Sequence, residues 1–168
     1  GGILNRYGIV DYVRGIAPGV FAIFTTRLEE VHKQLEYLNM GSGPNYVLYR
    51  PYHLTSLETP ITIFNACLDG EATIAPTKGA VAETVTVAKK DLKAGDRLDR
   101  IGGYTVYGSI EEYRIAKEEN LVPIGLIDEN TKIIKDVKKD ELITYDMIEM
   151  NTETTIYKLR KLQDEIMG

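Results

Sequence analysis

Asp91-Leu92-Lys93-Ala94-Gly95-Asp96-Arg97-Leu98-Asp99 and Asp136-Val137-Lys138-Lys139-Asp140-Glu141-Leu142-Ile143-Thr144 are two versions of one short pattern. In each copy an Asp opens the stretch, an apolar residue follows it (Leu92, Val137), and a second apolar residue stands six positions further on (Leu98, Ile143). Gly95 and Asp140 hold the same place in the two copies, and both residue types tolerate a positive φ. The pattern therefore predicts two equivalent backbone corners. Around them the chain reads as short strands and turns, at Val81 to Ala88, Gly103 to Gly108, Leu121 to Ile127 and Ile133 to Val137. The polar stretch Ser109 to Asn120 predicts one short helix. Thr152 to Met167 predicts a C-terminal helix with Ile156, Leu159, Leu162 and Ile166 on one stripe.

Upstream of this half the composition changes. Residues 1–80 hold 6 basic and 7 acidic side chains, whereas residues 81–168 hold 14 and 18. A sparsely charged segment has more of its surface covered by something else, such as a further domain, a second subunit or a substrate. The chain is accordingly divided into 1–80 and 81–168, with the seam near Thr77-Lys78-Gly79.

In the first half, Ile9-Val10-Asp11-Tyr12-Val13 and Val20-Phe21-Ala22-Ile23-Phe24 read as two strands of a hairpin joined through Pro18-Gly19. Leu28, Val31, Leu35 and Leu38 recur at helical spacing, and Asn39-Met40-Gly41 ends that helix. His32 falls on its polar face and is expected to be solvated. Asn45 to Tyr49 reads as a strand. Thr55-Ser56-Leu57-Glu58 has the form of a capping box, with Pro60 placed in the first turn of the helix that follows. That helix is apolar almost all round (Ile61, Ile63, Phe64, Cys67, Leu68), which predicts burial on most sides and an inert Cys67 in the core. The fold class is α+β.

The chain has 168 residues, enough to bury roughly 70% of its unfolded surface. With 20 Lys and Arg against 25 Asp and Glu, the net charge is −5, which gives no basic footprint for nucleic acid or an anionic membrane. A single cysteine and two histidines make neither a disulfide framework nor a zinc set, and a reducing cytoplasmic setting is expected. No apolar run reaches membrane-span length. The chain opens Gly1-Gly2 without Met, as expected of a piece of a longer protein.

The densest polar cluster is Tyr46, Tyr49, Arg50, Tyr52 and His53, followed by a helix start at Thr55 and Ser56. Pro51 holds Arg50 out of helical conformation. Arg50 offers a planar fork to a phosphate or carboxylate, and the helix N-terminus offers free N–H groups to the same anion. On a functional reading Arg50, Tyr49, Thr55 and Ser56 bind a small anionic metabolite, and His53 and Tyr52 are the catalytic candidates. On the other reading Arg50 and His53 satisfy carbonyls at a strand-to-helix corner. Glu58 is first a capping carboxylate. Gly41-Ser42-Gly43 follows a helix and opens a strand, the reverse of a dinucleotide fingerprint, so no phosphate-cradling loop is visible.

Several strings occur together in order: Val10-Asp11-Tyr12-Val13-Arg14-Gly15, Ala17-Pro18-Gly19-Val20-Phe21, Tyr49-Arg50-Pro51-Tyr52-His53-Leu54 with Glu58, Ala88-Lys89-Lys90-Asp91-Leu92-Lys93-Ala94-Gly95, and Gly102-Gly103-Tyr104. With them the chain resembles the C-terminal portion of homoserine-dehydrogenase-like NAD(P)-dependent oxidoreductases, including those called 1-deoxy-D-xylulose 5-phosphate reductoisomerase-like. The resemblance implies part of a central α/β catalytic and dimerisation region to about residue 80, then a mainly-β SAF-type β-clip domain with a C-terminal helix. It also implies a separate N-terminal nucleotide-binding domain that carries NAD(P), a homo-oligomer, and room for a divalent metal. Arg50 would then anchor the substrate's phosphate or carboxylate, and His53 would orient a hydroxyl or carbonyl near the hydride acceptor. The alternative is a non-catalytic SAF-type module that binds a sugar acid or serves oligomerisation.

Overall fold

The structure is a computed structural model that describes residues 13, 15, 17–75 and 79–167. The chain divides into two compact units, one within Val13–Ala75 and one within Pro76–Gly168. The architecture is α+β, with small antiparallel sheets and a C-terminal helix.

In the first unit, strand β1 (Val20–Thr25) pairs antiparallel with β2 (Asn45–Arg50), in the register Val20 to Arg50 and Thr25 to Asn45. Of the first strand of the expected hairpin, residues 9–12 lie outside the described residues and Val13 is not in a strand; the described partner of β1 comes from beyond helix α1 (Glu29–Tyr37). Asn39 closes α1 with φ 59°, as its position after the periodic stretch implies.

Helix α2 (Thr55–Phe64) continues as a π-helical turn, Asn65–Asp69, and ends on Gly70 at φ 66°. Two details differ from expectation. Leu54, not Thr55, is the N-cap, and no side-chain hydroxyl caps the helix. Pro60 is the sixth helical residue, so the ladder bond from position 60 to the Ser56 carbonyl is missing rather than spared by the first turn. The expected burial is also overturned: Ile61, Ile63, Phe64, Leu68 and Cys67 are all exposed. Apolar periodicity records that a face wants cover, and a two-stranded sheet with one other helix has too little surface to provide it. Among the described residues of this unit only Tyr46 is buried.

The second unit has a real core. Strand β3 (Ala82–Ala88) pairs antiparallel with β4 (Val106–Glu112), and β5 (Lys132–Ile133) pairs with β6 (Ile148–Glu149). Leu92, Leu98, Val137 and Ile143, the four anchors of the repeated pattern, are all in this core beside Ala88, Val106, Val122 and Ile133. The two copies are related across an antiparallel bridge between Leu92 and Val137. Gly95 adopts φ 102° and Asp140 φ 66°, and their N–H groups bond the carbonyls of Ile133 and Ala88, each three residues before the other copy's Asp. Leu98 N–H to Thr131 and Ile143 N–H to Thr86 repeat the same relation further out. The corners are thus equivalent in backbone as well as in sequence.

Several element boundaries move. Of the strand read at Ile133 to Val137 only Ile133 lies in β5, and Val137 makes a single bridge. The strand read from Gly103 runs from Val106 to Glu112, because the Asp99 carboxylate gathers the N–H groups of Tyr104 and Thr105 into a turn that delays the ladder. Pairing with Ala82–Val85 then draws Ser109 to Glu112 into the strand and leaves helix α3 only Tyr113–Glu118. Leu121 to Ile127 is not one strand. Leu121 and Pro123 make single bridges, and Ile124–Leu126 is a 3-10 turn after Pro123, which has no N–H to extend a ladder. The C-terminal helix α4 spans Thr155–Met167. Among the described residues no helix is long and apolar enough to cross a membrane.

Candidate functional site

The corner between β2 and α2 is built by Pro51, which bends the chain directly after the strand, and by Glu58, one turn into the helix. The Glu58 carboxylate forks. Its Oε1 accepts from Arg50 Nη1 at 2.6 Å, while Oε2 accepts the Leu54 N–H at 3.3 Å and lies 3.7 Å from His53 Nδ1. His53 Nε2 is 3.4 Å from the Thr55 hydroxyl, and the Arg50 guanidinium lies 5.7 Å over the Tyr52 ring. Arg50, Tyr52, His53 and Thr55 are therefore brought together around one carboxylate.

Chemically, this is a cation and an imidazole held side by side on an open surface. No described residue bonds the remaining N–H groups of Arg50, which leaves donors for a bidentate anion. Helix geometry leaves the N–H groups of Thr55 and Ser56 without intrahelical acceptors next to it, whereas those of Leu57 and Glu58 bond the Leu54 carbonyl at 2.9 Å. An arriving phosphate or carboxylate has to compete with Glu58 for Arg50, and a neutral ligand competes less well than a charged one.

Tyr49 does not join the cluster. Its hydroxyl donates toward the carbonyls of Ala17 and Pro18, both at 3.2 Å, and its ring covers Gly19. Adjacent strand residues face opposite ways, so Tyr49 and Arg50 part company by the pleat alone. Ser56 stays in the first turn of α2. The residue that sequence reasoning undervalued is Glu58. Its spacing to Arg50 was visible, but the fork depends on how sharply Pro51 turns the chain.

His32 also needs correction. Far from being solvated, it bonds the Tyr46 hydroxyl through Nδ1 at 2.5 Å and the Thr26 carbonyl through Nε2 at 3.0 Å. The carbonyl can only accept, so Nε2 carries the proton and Nδ1 accepts from Tyr46. This ties α1 to the start of β2. A side chain at Gly43 would collide with Tyr46, since a Cβ there would stand 2.6 Å from its hydroxyl.

In the second unit a shallow hollow of about 650 Å³ is lined by Asp91, Lys93, Asp136, Lys138, Lys139 and Glu141, from both copies of the repeated corner. Among the described residues no group of three or more His, Cys, Asp or Glu is placed to hold a metal ion. The described connections from a strand into an α-helix, at 26–28, at 51–54, at 150–154 and directly from β4 into α3, contain no glycine, so these residues form no cradle for a dinucleotide pyrophosphate.

Residues 1–59 match the family model described as oxidoreductase DRL, catalytic domain. The matched stretch ends just past Glu58 and so contains the whole corner. No curated protein matches the chain. The match supports an oxidoreductase, of which this corner would be part of the catalytic domain.

Proposed function

We propose that the chain is the C-terminal portion of an NAD(P)-dependent oxidoreductase acting on a small phosphorylated or carboxylated hydroxy compound. The observation that carries this reading is that the Arg50, His53 and Glu58 cluster falls inside the stretch matched to an oxidoreductase catalytic domain. Arg50 anchors the anionic group of the substrate with two parallel N–H donors. His53 hydrogen-bonds the reacting hydroxyl or carbonyl, with Glu58 fixing the ring from the other side. Tyr52 lies under the Arg50 guanidinium and limits where it can swing. The dinucleotide belongs to a separate nucleotide-binding domain. The second unit is assigned a SAF-type β-clip, a reading supported by its duplicated corner, and the whole is assigned to the cytoplasm.

The experiment is a substrate panel. The protein together with its nucleotide-binding domain is assayed for nicotinamide turnover with phosphorylated, carboxylated and neutral hydroxy and keto compounds. Turnover confined to the anionic members supports the reading; equal turnover of neutral ones contradicts it.

A second reading rests on the hollow between the corners, where Lys93, Lys138 and Lys139 share the lining with Asp91, Asp136, Asp140 and Glu141. There the second unit binds a sugar acid without catalysis. A sugar acid that raises the Tm of the 168-residue chain, with the rise abolished by Lys138→Ala, supports it; no rise across the panel counts against it.

A further inference from the structure

Helix α4 turns its polar face inward and its apolar face outward. Toward its own unit it presents Tyr157, Arg160 and Asp164. Arg160 pairs with Glu83 at 2.5 Å and with Asp164 at 2.8 Å, and Asp164 also receives Lys117 at 2.8 Å and the Tyr113 hydroxyl at 3.0 Å. Arg160 and Glu83 are each only 13% exposed and Asp164 11%, so this network is largely withdrawn from water. Lys161 lies over the rings of Tyr145 and Tyr157. Rolling the helix to hide its apolar face would separate these charges and leave them buried without partners, which is strongly unfavourable. The helix is therefore pinned with Leu159 (56% exposed), Leu162 (49%) and Ile166 (73%) pointing away from its own unit.

Thr155, Leu159, Leu162 and Ile166 recur at intervals of four, three and four, the spacing of a two-helix seam. We infer that this face pairs with the same face of a second copy of the chain, the two α4 helices running antiparallel about a two-fold axis near residues 161 and 162. Charge selects the occupant and its direction. Lys158 and Glu165 lie seven residues apart on the same edge of the seam. In an antiparallel two-fold pair like edges meet, so each Lys158 stands beside Glu165 of the other copy. In a parallel pair that edge would face Ile156 and Gln163 instead. No described residue pairs with Glu165 in the single chain, while Lys158 reaches back 2.7 Å to the exposed Glu153 and is free to exchange partners. This inference is independent of the oxidoreductase reading.

The test is sedimentation equilibrium of the full 168-residue chain over a range of concentrations. The chain should be dimeric with a concentration-dependent Tm, and Leu162→Glu should make it monomeric but still folded, with a Tm that no longer depends on concentration. Lys158→Glu alone and Glu165→Lys alone should each weaken dimerisation roughly tenfold or more, because like charges then meet on the edge. Combining both substitutions in one chain should restore it. Mixing the two singly substituted chains should restore association as well. A chain that stays monomeric overturns the inference, as does a dimer indifferent to Leu162→Glu. Singles that weaken association without rescue in the double variant overturn the antiparallel arrangement.

Discussion

Asp91 and Asp136 each hold the other's turn: Asp91 Oδ1 accepts the Lys139 N–H at 2.9 Å, and Asp136 Oδ1 accepts the Ala94 N–H at 2.9 Å. Each Asp opens one copy of the repeated pattern, and each bonds the fourth residue of the other copy. Between them Leu92 and Val137 exchange both backbone hydrogen bonds, at 2.8 and 2.9 Å. Two nine-residue segments thus close one another into a pseudo-symmetric unit, and its rigidity comes from pairing rather than from strand length.

The two left-handed corners should respond oppositely to substitution. At Gly95, φ is 102° and a Cβ would meet nothing within 4 Å, so Gly95→Ala costs conformational energy alone. That cost should be about 1–2 kcal/mol, seen as a lower Tm. Asp140→Gly relieves the same constraint at φ 66° and gives up only an exposed 3.2 Å bond from Tyr107, so Tm should hold or rise.

Acid should release α4 before the core unfolds. Burial pushes the Asp164 carboxyl up, but hydrogen bonds from Lys117 and Arg160 overcome this and hold it below its ordinary value of 3.8. A lowered carboxyl stabilises the fold fully above the unfolded value, and that contribution is lost as the pH falls through the lowered one. Protection of the amides of residues 155–167, taken relative to the intrinsic exchange rate at each pH, should be unchanged from about pH 7 to about pH 5 and fall below about pH 4. Arg160→Ala should cost about 2 kcal/mol at neutral pH, less than a fully buried pair would.

The link from α1 to β2 should be measurable through Tyr46. It is 1% exposed, and its hydroxyl is the partner of His32 Nδ1. Tyr46→Phe leaves the packing and removes the bond, which should cost about 1 kcal/mol in denaturant unfolding. Gly43→Ala should cost more, because the new Cβ cannot coexist with the tyrosine where it stands.

These outcomes trace which features were legible in the sequence. The repeated corner was, since a period, two apolar anchors and a residue tolerant of positive φ carry their own backbone reason. Helix α1, strand β2 and helix α4 followed from periodicity. What escaped were the relations that need a third dimension. The stripe of α4 announced an apolar face, but only the Arg160 and Glu83 pair, 77 positions apart, decides that it faces outward. His32 looked solvated by its place in α1, yet Tyr46 arrives from another element. Cys67 and the apolar face of α2 looked like core, because periodicity reports a demand for burial and says nothing of whether the chain itself meets it. At the corner, the residue types of Arg50 and His53 suggested an anion site, whereas the fork of Glu58 depends on the bend at Pro51.

The most direct measurement of the central claim is kcat/KM for Arg50→Ala and Arg50→Lys in the protein joined to the nucleotide-binding domain proposed for it, with an anionic substrate and its neutral analogue. Loss of a charge-assisted bidentate contact should lower kcat/KM for the anionic substrate by roughly 10- to 100-fold in Arg50→Ala, mainly through KM, with Arg50→Lys intermediate and the neutral analogue nearly unaffected. Unchanged kcat/KM for the anionic substrate in Arg50→Ala would remove Arg50 from the site and contradict the account.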